Sequence, residues 1–370
     1  MNSLLVLFVV VSPSLACLGG GGLLPGLGCG GPVGGCAPPP PPPIAPLASP
    51  CAAPIGCGAA PAFVYAIVIY ASLVSKNVLP SDPGPDFVPF TNIPKRYNVT
   101  LNFETSSNHS VSYYSGLMRL GFLVRETSQR IFIQAGSAVK VGKCSLTDNS
   151  GNSIFVQKGV YNPKTEIQTL IPQGNLTSDL DYFLEIEFTG RINQPLGPSS
   201  FSYISTAGDK RYGLYFSSPA GASKGLRYLF PSLDSTQFPA NFDLAIYHKN
   251  SLRAISNFAG TTNTQPHNYL IDNFVASTRL YPAQVGLVLC DFPFQRQMIN
   301  GTQVTIYYRA DVIQKVSLRR LQQFMDKSSY TVGKLDAVVL PSATTVHLPG
   351  VSLLNEEETI AENNAINGLN

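Results

Sequence analysis

Residues 226–257 read LRYLFPSLDSTQFPANFDLAIYHKNSLRAISN. The stretch carries a turn signal at Phe230-Pro231 and then runs into a strand. Phe242, Leu244 and Ile246 alternate with Asp243 and Ala245, the period-two pattern of a ribbon with one buried face.

The same pattern recurs on both sides of it. Upstream, Tyr97, Val99, Leu101 and Phe103 alternate with Asn98, Thr100, Asn102 and Glu104. This predicts a half-buried strand with Asn98 on the solvent face. Short strands are predicted over 112–123, 130–134, 138–146 and 153–157, with turn chemistry at Asp148-Asn149-Ser150-Gly151. Tyr182, Leu184, Ile186 and Phe188 alternate with Phe183, Glu185, Glu187 and Thr189. Residues 285–290 are continuously apolar, as in a strand covered on both faces, and Val304, Ile306 and Tyr308 alternate again. Many short strands at this spacing predict a mainly β fold, an all-β sandwich. A first helix is expected only at 312–327, with apolar residues at Val312, Val316, Leu321, Phe324 and Met325; strands at 335–340 and 351–354 follow, then a polar, frayed tail from 359 to 370.

Composition narrows the class of protein. The 370 residues are 44% apolar and only 13% charged, with a net charge of +3 and no basic or acidic run, which points away from nucleic acid. Residues 1–16 resemble a secretory signal peptide, with an apolar core at 4–11 and small residues Ser14 and Ala16 at the cleavage positions. Sequons at Asn98, Asn108, Asn175 and Asn300 fit the same secreted, glycosylated route. Residues 17–78 form a low-complexity leader, dominated to position 62 by Gly, Pro and Ala, with cysteines at 17, 29, 36, 51 and 57. Such a segment is too poor in large apolar side chains to fold alone. It reads either as a disulfide-crosslinked stalk, with possible self-association through an odd cysteine, or as a linker with incidental thiols. The uncharged run 59–74 leaves a membrane-attached ectodomain as an alternative to secretion. Residues 79–311 are expected to be the β-domain.

The ordered landmarks resemble the zinc aminopeptidases of the aminopeptidase N type, the gluzincin aminopeptidases. Their segment RRAFPCFDEPxFKAxFxxxI, followed by AxSN, is matched by Phe230, Pro231, Asp234, Phe238, Ala240, Phe242, Ile246 and Ile255-Ser256-Asn257. Ser232 stands where that family has Cys, and Ser235-Thr236 where it has Glu-Pro. Residues 182–190 resemble its Y-x-L-x-I-x-F-x-G strand, Leu289-Cys290-Asp291-Phe292 the end of its AFVVSDF strand, and residues 330–336 its YPLPKLD. The resemblance runs from about Tyr97 to about Glu358. It implies a saddle-like antiparallel β-sandwich N-terminal domain, followed over 312–358 by a helix and the first strands of an incomplete thermolysin-like catalytic domain.

It also implies where chemistry should lie. Family catalysis uses zinc held by the two histidines of HExxH and a distal Glu, with the motif's own Glu activating water. The four histidines here, His109, His248, His267 and His347, are never four apart and none precedes Glu. The amine-binding motif Gly-Ala-Met-Glu-Asn falls on Val346, His347, Leu348, Pro349 and Gly350, so Pro349 replaces the amine-binding Glu. A second family contact, a Gln before the FP turn, has no counterpart in Ala222-Ser223-Lys224-Gly225-Leu226, while Arg227 matches a family Arg. Asp336, His347 and Ser352 lack a nucleophile-elbow pattern, and a surface Ser and His at unrelated spacing is the simpler reading. Cys144 and Cys290 read as a bridge or as core thiols, the latter favoured for Cys290. The expectation is a catalytically inactive, secreted member without catalytic or metal-binding residues. It would bind a protein or peptide partner through the surface that normally packs on the catalytic domain. The alternative is an incomplete sequence of a zinc metalloaminopeptidase releasing N-terminal amino acids from peptides, which would need zinc from a region beyond Asn370.

Overall fold

The computed structural model describes residues 87–103, 112–218, 225–299, 301–312 and 332–361. The signal sequence, the leader with its 59–74 run, Asn108, Asn300, residues 222–224, nearly all of the 312–327 helix and the tail beyond 361 lie outside the described residues.

Twenty strands lie within them. The first are β1 (Asn92–Asn102), β2 (Tyr113–Val124), β3 (Ile131–Gln134), β4 (Val139–Asp148), β5 (Ser153–Ile154), β6 (Val156–Asn162), β7 (Ile167–Pro172) and β8 (Asp181–Arg191). After β9 (Ser199–Ile204) and β10 (Lys210–Ser217) a single 3-10 turn, Leu226–Tyr228, precedes β11 (Asn241–Lys249), β12 (Arg253–Ser256), β13 (Gly260–Gln265), β14 (Tyr269–Phe274) and β15 (Gly286–Cys290). The last five are β16 (Phe294–Ile299), β17 (Thr302–Tyr307), β18 (Lys334–Leu340), β19 (Val346–Leu348) and β20 (Val351–Asn355). The tail begins in helix, at 356–361.

The strands assemble into four sheets. The largest has the order β13-β14-β11-β1-β2-β8-β4-β5, with β1 and β11 parallel and the remaining pairs antiparallel. A four-stranded sheet runs β12-β15-β10-β9, a three-stranded one β3-β7-β6, and a mixed five-stranded one β16-β17-β18-β20-β19. The 311/312 position, expected as a domain boundary, falls between β17 and β18, which are adjacent in this last sheet.

Burial shows how the sheets stack. Alternating residues of β1, β2, β8 and β11 join Leu214 and Phe216 of β10 and Leu287 and Leu289 of β15 in one core. The opposite faces of the same middle sheet, through Phe201, Ile255, Val288 and Cys290, pack on Val338, Leu340, Val346, Leu348, Val351 and Leu353 in a second core. β15 is therefore buried at every position, which accounts for its unbroken apolar sequence. β18 is likewise buried throughout, with Leu335, Ala337 and Val339 facing a third cluster.

The predicted segments at β1, β2, β3, β4, β8, β11, β15, β17, β18 and β20 match closely. Residues 153–157 are not one strand: the ribbon breaks at Phe155, which is 68% exposed, and resumes as the longer β6. The turn at 148–152 forms as its chemistry predicts, with the Asp148 carboxylate accepting from the amides of Ser150 and Asn152 at 2.9 and 2.8 Å.

One landmark glycine has a packing cause. Gly190 ends the pattern of β8 directly opposite Tyr114 of β2, and a Cβ there would lie 2.1 Å from Cζ of the Tyr114 ring. The Tyr114 hydroxyl passes over it to donate to the Leu229 carbonyl at 2.7 Å. Gly190→Ala is expected to cost on the order of 1–3 kcal/mol by overpacking. Urea unfolding followed by far-UV circular dichroism measures it, since the chain has no Trp.

Candidate functional site

The segment 225–234 is buried at every residue but belongs to no sheet, apart from an isolated bridge between Ser232 and Gln134. Its backbone groups must find partners inside the protein. Tyr97 accepts from the Leu233 amide at 3.0 Å, and Gln134 Oε1 accepts from the Asp234 amide at 2.7 Å. Asp234 Oδ2 accepts from the Gly225 amide and from Arg227 Nε, both at 2.8 Å. Arg227 also reaches the Asp234 carbonyl at 3.2 Å and Glu166 Oε2 at 3.4 Å, and Tyr228 donates to that same oxygen at 3.0 Å. Burial, with help from Glu166, pushes the Tyr228 hydroxyl up to about 12. Arg227 and Asp234 are thus occupied in holding the turn. Ser232 is fully buried and its hydroxyl finds no hydrogen-bond partner, which fits a position suited to a thiol.

Val346, His347, Leu348, Pro349 and Gly350 form β19 and the tight turn into β20. Val346 and Leu348 point into the second core, while His347 is exposed. The Pro349 carbonyl accepts from Asn257 Nδ2 at 2.8 Å. Asn257 also donates to the Gln284 carbonyl at 2.8 Å and accepts from the Gly286 amide at 2.9 Å. Gly350 adopts φ of +74°, a Cβ on it would sit 2.0 Å from the Asn257 carbonyl oxygen, and its own carbonyl accepts from the Asp336 amide at 3.0 Å. The landmark asparagine thus anchors this turn on the middle sheet.

His347 and Ser352 are cross-strand partners with Nδ1 and Oγ 3.1 Å apart. Ser352 is buried, not a surface residue. Its register partner on β18 is Ala337, so Asp336 faces the other side of the sheet and pairs with Lys334. The three do not converge.

The remaining expected groups are dispersed. Among the described residues, no three of His, Cys, Asp and Glu are grouped to share a metal ion. His267 is exposed at φ of +62°. His248 is fully buried, with Nδ1 on the Lys249 carbonyl and Nε2 on Asp272 Oδ2, each at 2.9 Å. Both ring nitrogens are taken up. Cys144 and Cys290 are not bridged, and burial pushes their thiols up to about 11 and about 12. Neither is an activated nucleophile. Asn98 on β1 and Asn175 are both solvent-exposed.

Comparison with known proteins matches residues 93–280, just over half of the chain, to the peptidase M1 N-terminal domain. The chain belongs to that family. Human aminopeptidase Q is 25% identical to this member over 195 residues, 48% of the chain and 19% of the relative. Rat aminopeptidase N is 23% identical over 238 residues, 61% of the chain and 24% of the relative, and human aminopeptidase N is 23% identical over 245 residues with the same coverage. The chain spans no more than about a quarter of the length of these curated relatives. Among its described residues no helix is long and apolar enough to cross a membrane.

This peptidase M1 N-terminal domain carries, with the strands after it, one charged cleft that the motifs do not point to. A cavity of about 410 Å³ opens at the edge of the second core, where β12 and β14 approach β16, β17 and β18. Lys334 and Asp336 lie on the same face of β18 as Val338 and Leu340, and continue the apolar interface into this cleft as an ion pair. Lys334 Nζ also donates to the Ser256 carbonyl at 2.6 Å. Burial pushes the Lys334 ammonium down against the opposing pull of Asp336. Asp272 closes the cleft from behind. Its only sequence signal is an isolated acid within an otherwise uncharged strand.

Burial pushes the Asp272 carboxyl up, but hydrogen bonds from His248, Thr262 and the Ala254 amide more than offset this and leave it below the usual carboxylate range. The folded value lies under the unfolded one of about 3.9. Its contribution is therefore present above that pH and lost as pH falls through the lower folded value. The stability gap between wild type and Asp272→Asn, measured by urea unfolding, is expected to be full at pH 6 and to shrink on acidification below about pH 4. Gly350→Ala, with its positive φ and the Asn257 carbonyl in the way, is expected to cost on the order of 1–3 kcal/mol in the same assay.

Proposed function

We propose that this chain acts as a secreted, glycosylated, non-catalytic member of its family, a β-scaffold that binds a peptide or protein partner. The observation that carries this reading is the turn at Pro349-Gly350. The position expected to grip a substrate amine offers neither a carboxylate nor an N–H, and its carbonyl is taken up by Asn257. The exposed sequon residues Asn98 and Asn175 fit the glycosylated route. The partner would meet the surface that packs on the catalytic domain in the relatives, and the leader cysteines would link copies by disulfides.

The alternative is a zinc metalloaminopeptidase whose metal ligands are encoded beyond Asn370. It is favoured by the limited share of the aminopeptidase relatives that the chain covers. Transcript sequence past Asn370 with an in-frame HExxH and distal Glu would establish it.

For residues 17–370 expressed and purified from a secretory host, aminoacyl-coumarin substrates are expected to release no amino acid, and metal analysis to find no stoichiometric zinc. Chelator-sensitive release, or one zinc per chain, would sink the non-catalytic reading.

A further inference from the structure

Arg253 at the start of β12 and Arg296 on β16 both line the charged cleft at its exposed side, and both lie against Phe294. Arg253 Cζ lies 4.6 Å from the Phe294 ring centroid and 6.0 Å from that of Tyr307, and Arg296 Cζ lies 5.2 Å from Phe294. The rings orient both guanidinium groups, yet aromatic faces satisfy none of their in-plane N–H donors. Neither arginine has a carboxylate partner among the described residues, unlike Arg96, Arg211, Arg227 and Arg309.

The cleft's own acids do not supply one. Asp336 is engaged by Lys334, and Asp272 already accepts from His248, Thr262 and the Ala254 amide. Three cations, Arg253, Arg296 and Lys334, line the space against these two carboxylates. The excess positive charge sits on the two guanidiniums at the entrance. A cavity of about 410 Å³ is within the range that holds a small ligand, roughly 300–1,000 Å³.

We propose that this cleft is a binding site for an oxyanion, a phosphoryl or carboxylate group that takes up the free N–H donors of Arg253 and Arg296. Guanidinium groups match both chemistries through paired N–H donors, and lysine in their place would present only a point charge. Tyr307, Phe258 and Phe274 also line the cleft and give apolar surface against which the rest of such a ligand would lie. This site is independent of the Pro349-Gly350 turn and of whether the chain hydrolyses peptides.

The test titrates inorganic phosphate into residues 17–370 by calorimetry at constant ionic strength in chloride, with acetate as a competitor. Saturable binding is expected. It should weaken roughly tenfold in Arg253→Gln and in Arg296→Gln, the loss of a charge-assisted hydrogen-bonding pair, and by less in Arg253→Lys. Arg119→Gln provides the control, because Arg119 also stacks on a ring, 5.0 Å from Phe183, but lines no part of this cleft. It should bind phosphate as wild type does. Circular dichroism confirms that each variant is folded. Strong competition by acetate would assign the site to carboxylates and weak competition to phosphoryl groups. Absence of saturable binding, undiminished binding in folded Arg253→Gln and Arg296→Gln, or equal loss in Arg119→Gln would overturn the proposal.

Discussion

An irregular peptide segment runs through the middle of this β core, and its backbone polarity is the constraint around which the neighbouring side chains are chosen. Residues 225–234 are all buried, and they lack the ladder that would satisfy a strand. An unpaired buried amide or carbonyl costs about 1–3 kcal/mol. Side chains from distant strands supply the missing partners: Tyr97 from β1, Tyr114 from β2 and Gln134 from β3. Each of those side chains is then tied to its own packing. The Tyr97 ring stacks on Phe242 at 4.8 Å, and the Tyr114 ring requires a glycine at 190. Arg227 and Asp234, both buried, neutralise one another across the same turn. A buried ion pair is weak evidence for net stability, but removing one partner is costly.

The second organising feature is that strands are covered on both faces, β15 and β18 at every position. β15 shares Leu287 and Leu289 with the core beneath the eight-stranded sheet, and Val288 and Cys290 with the core beneath the five-stranded sheet. β18 repeats this one layer further out. A strand that serves two cores links them mechanically. Asn257 adds a polar clamp at the same boundary, binding the backbone of residues 284, 286 and 349 at once.

Strands with one buried face were legible, because burial imposes the period of two that sequence reading detects. β1, β8 and β11 are of this kind. β13 reads GTTNTQ and β16 reads FQRQMI; both are edge strands exposed along nearly their whole length, so nothing in their side chains alternates. Neither was expected. The turn at 346–350 was located by resemblance, but its role was not legible, since the partner that fixes it, Asn257, lies far away in sequence. The pairing of His347 with Ser352 was missed for a related reason. Cross-strand neighbours are set by hairpin register, here a two-residue turn at Pro349-Gly350, and spacing alone gives no sign of it.

The charged cleft follows from a departure from apolar patterning at two positions on one strand. On the inward face of β18 the residues run Lys334, Asp336, Val338, Leu340. Two more aliphatic residues at its start would extend the second core to the end of the sheet. Replacing a buried ion pair in this way is often neutral or stabilising, so stability alone does not account for Lys334 and Asp336. What the pair does is keep that end of the interface polar. Lys334 fixes the Ser256 carbonyl, and the ion pair sits within a space that apolar packing would otherwise close. Asp272, held from behind by a buried histidine, does the same for the opposite wall. The two arginines at the mouth then stand over an interior whose acids are already occupied. A pattern break that is costly to bury and internally paired from both sides is therefore better explained by the cleft it maintains than by the fold it interrupts.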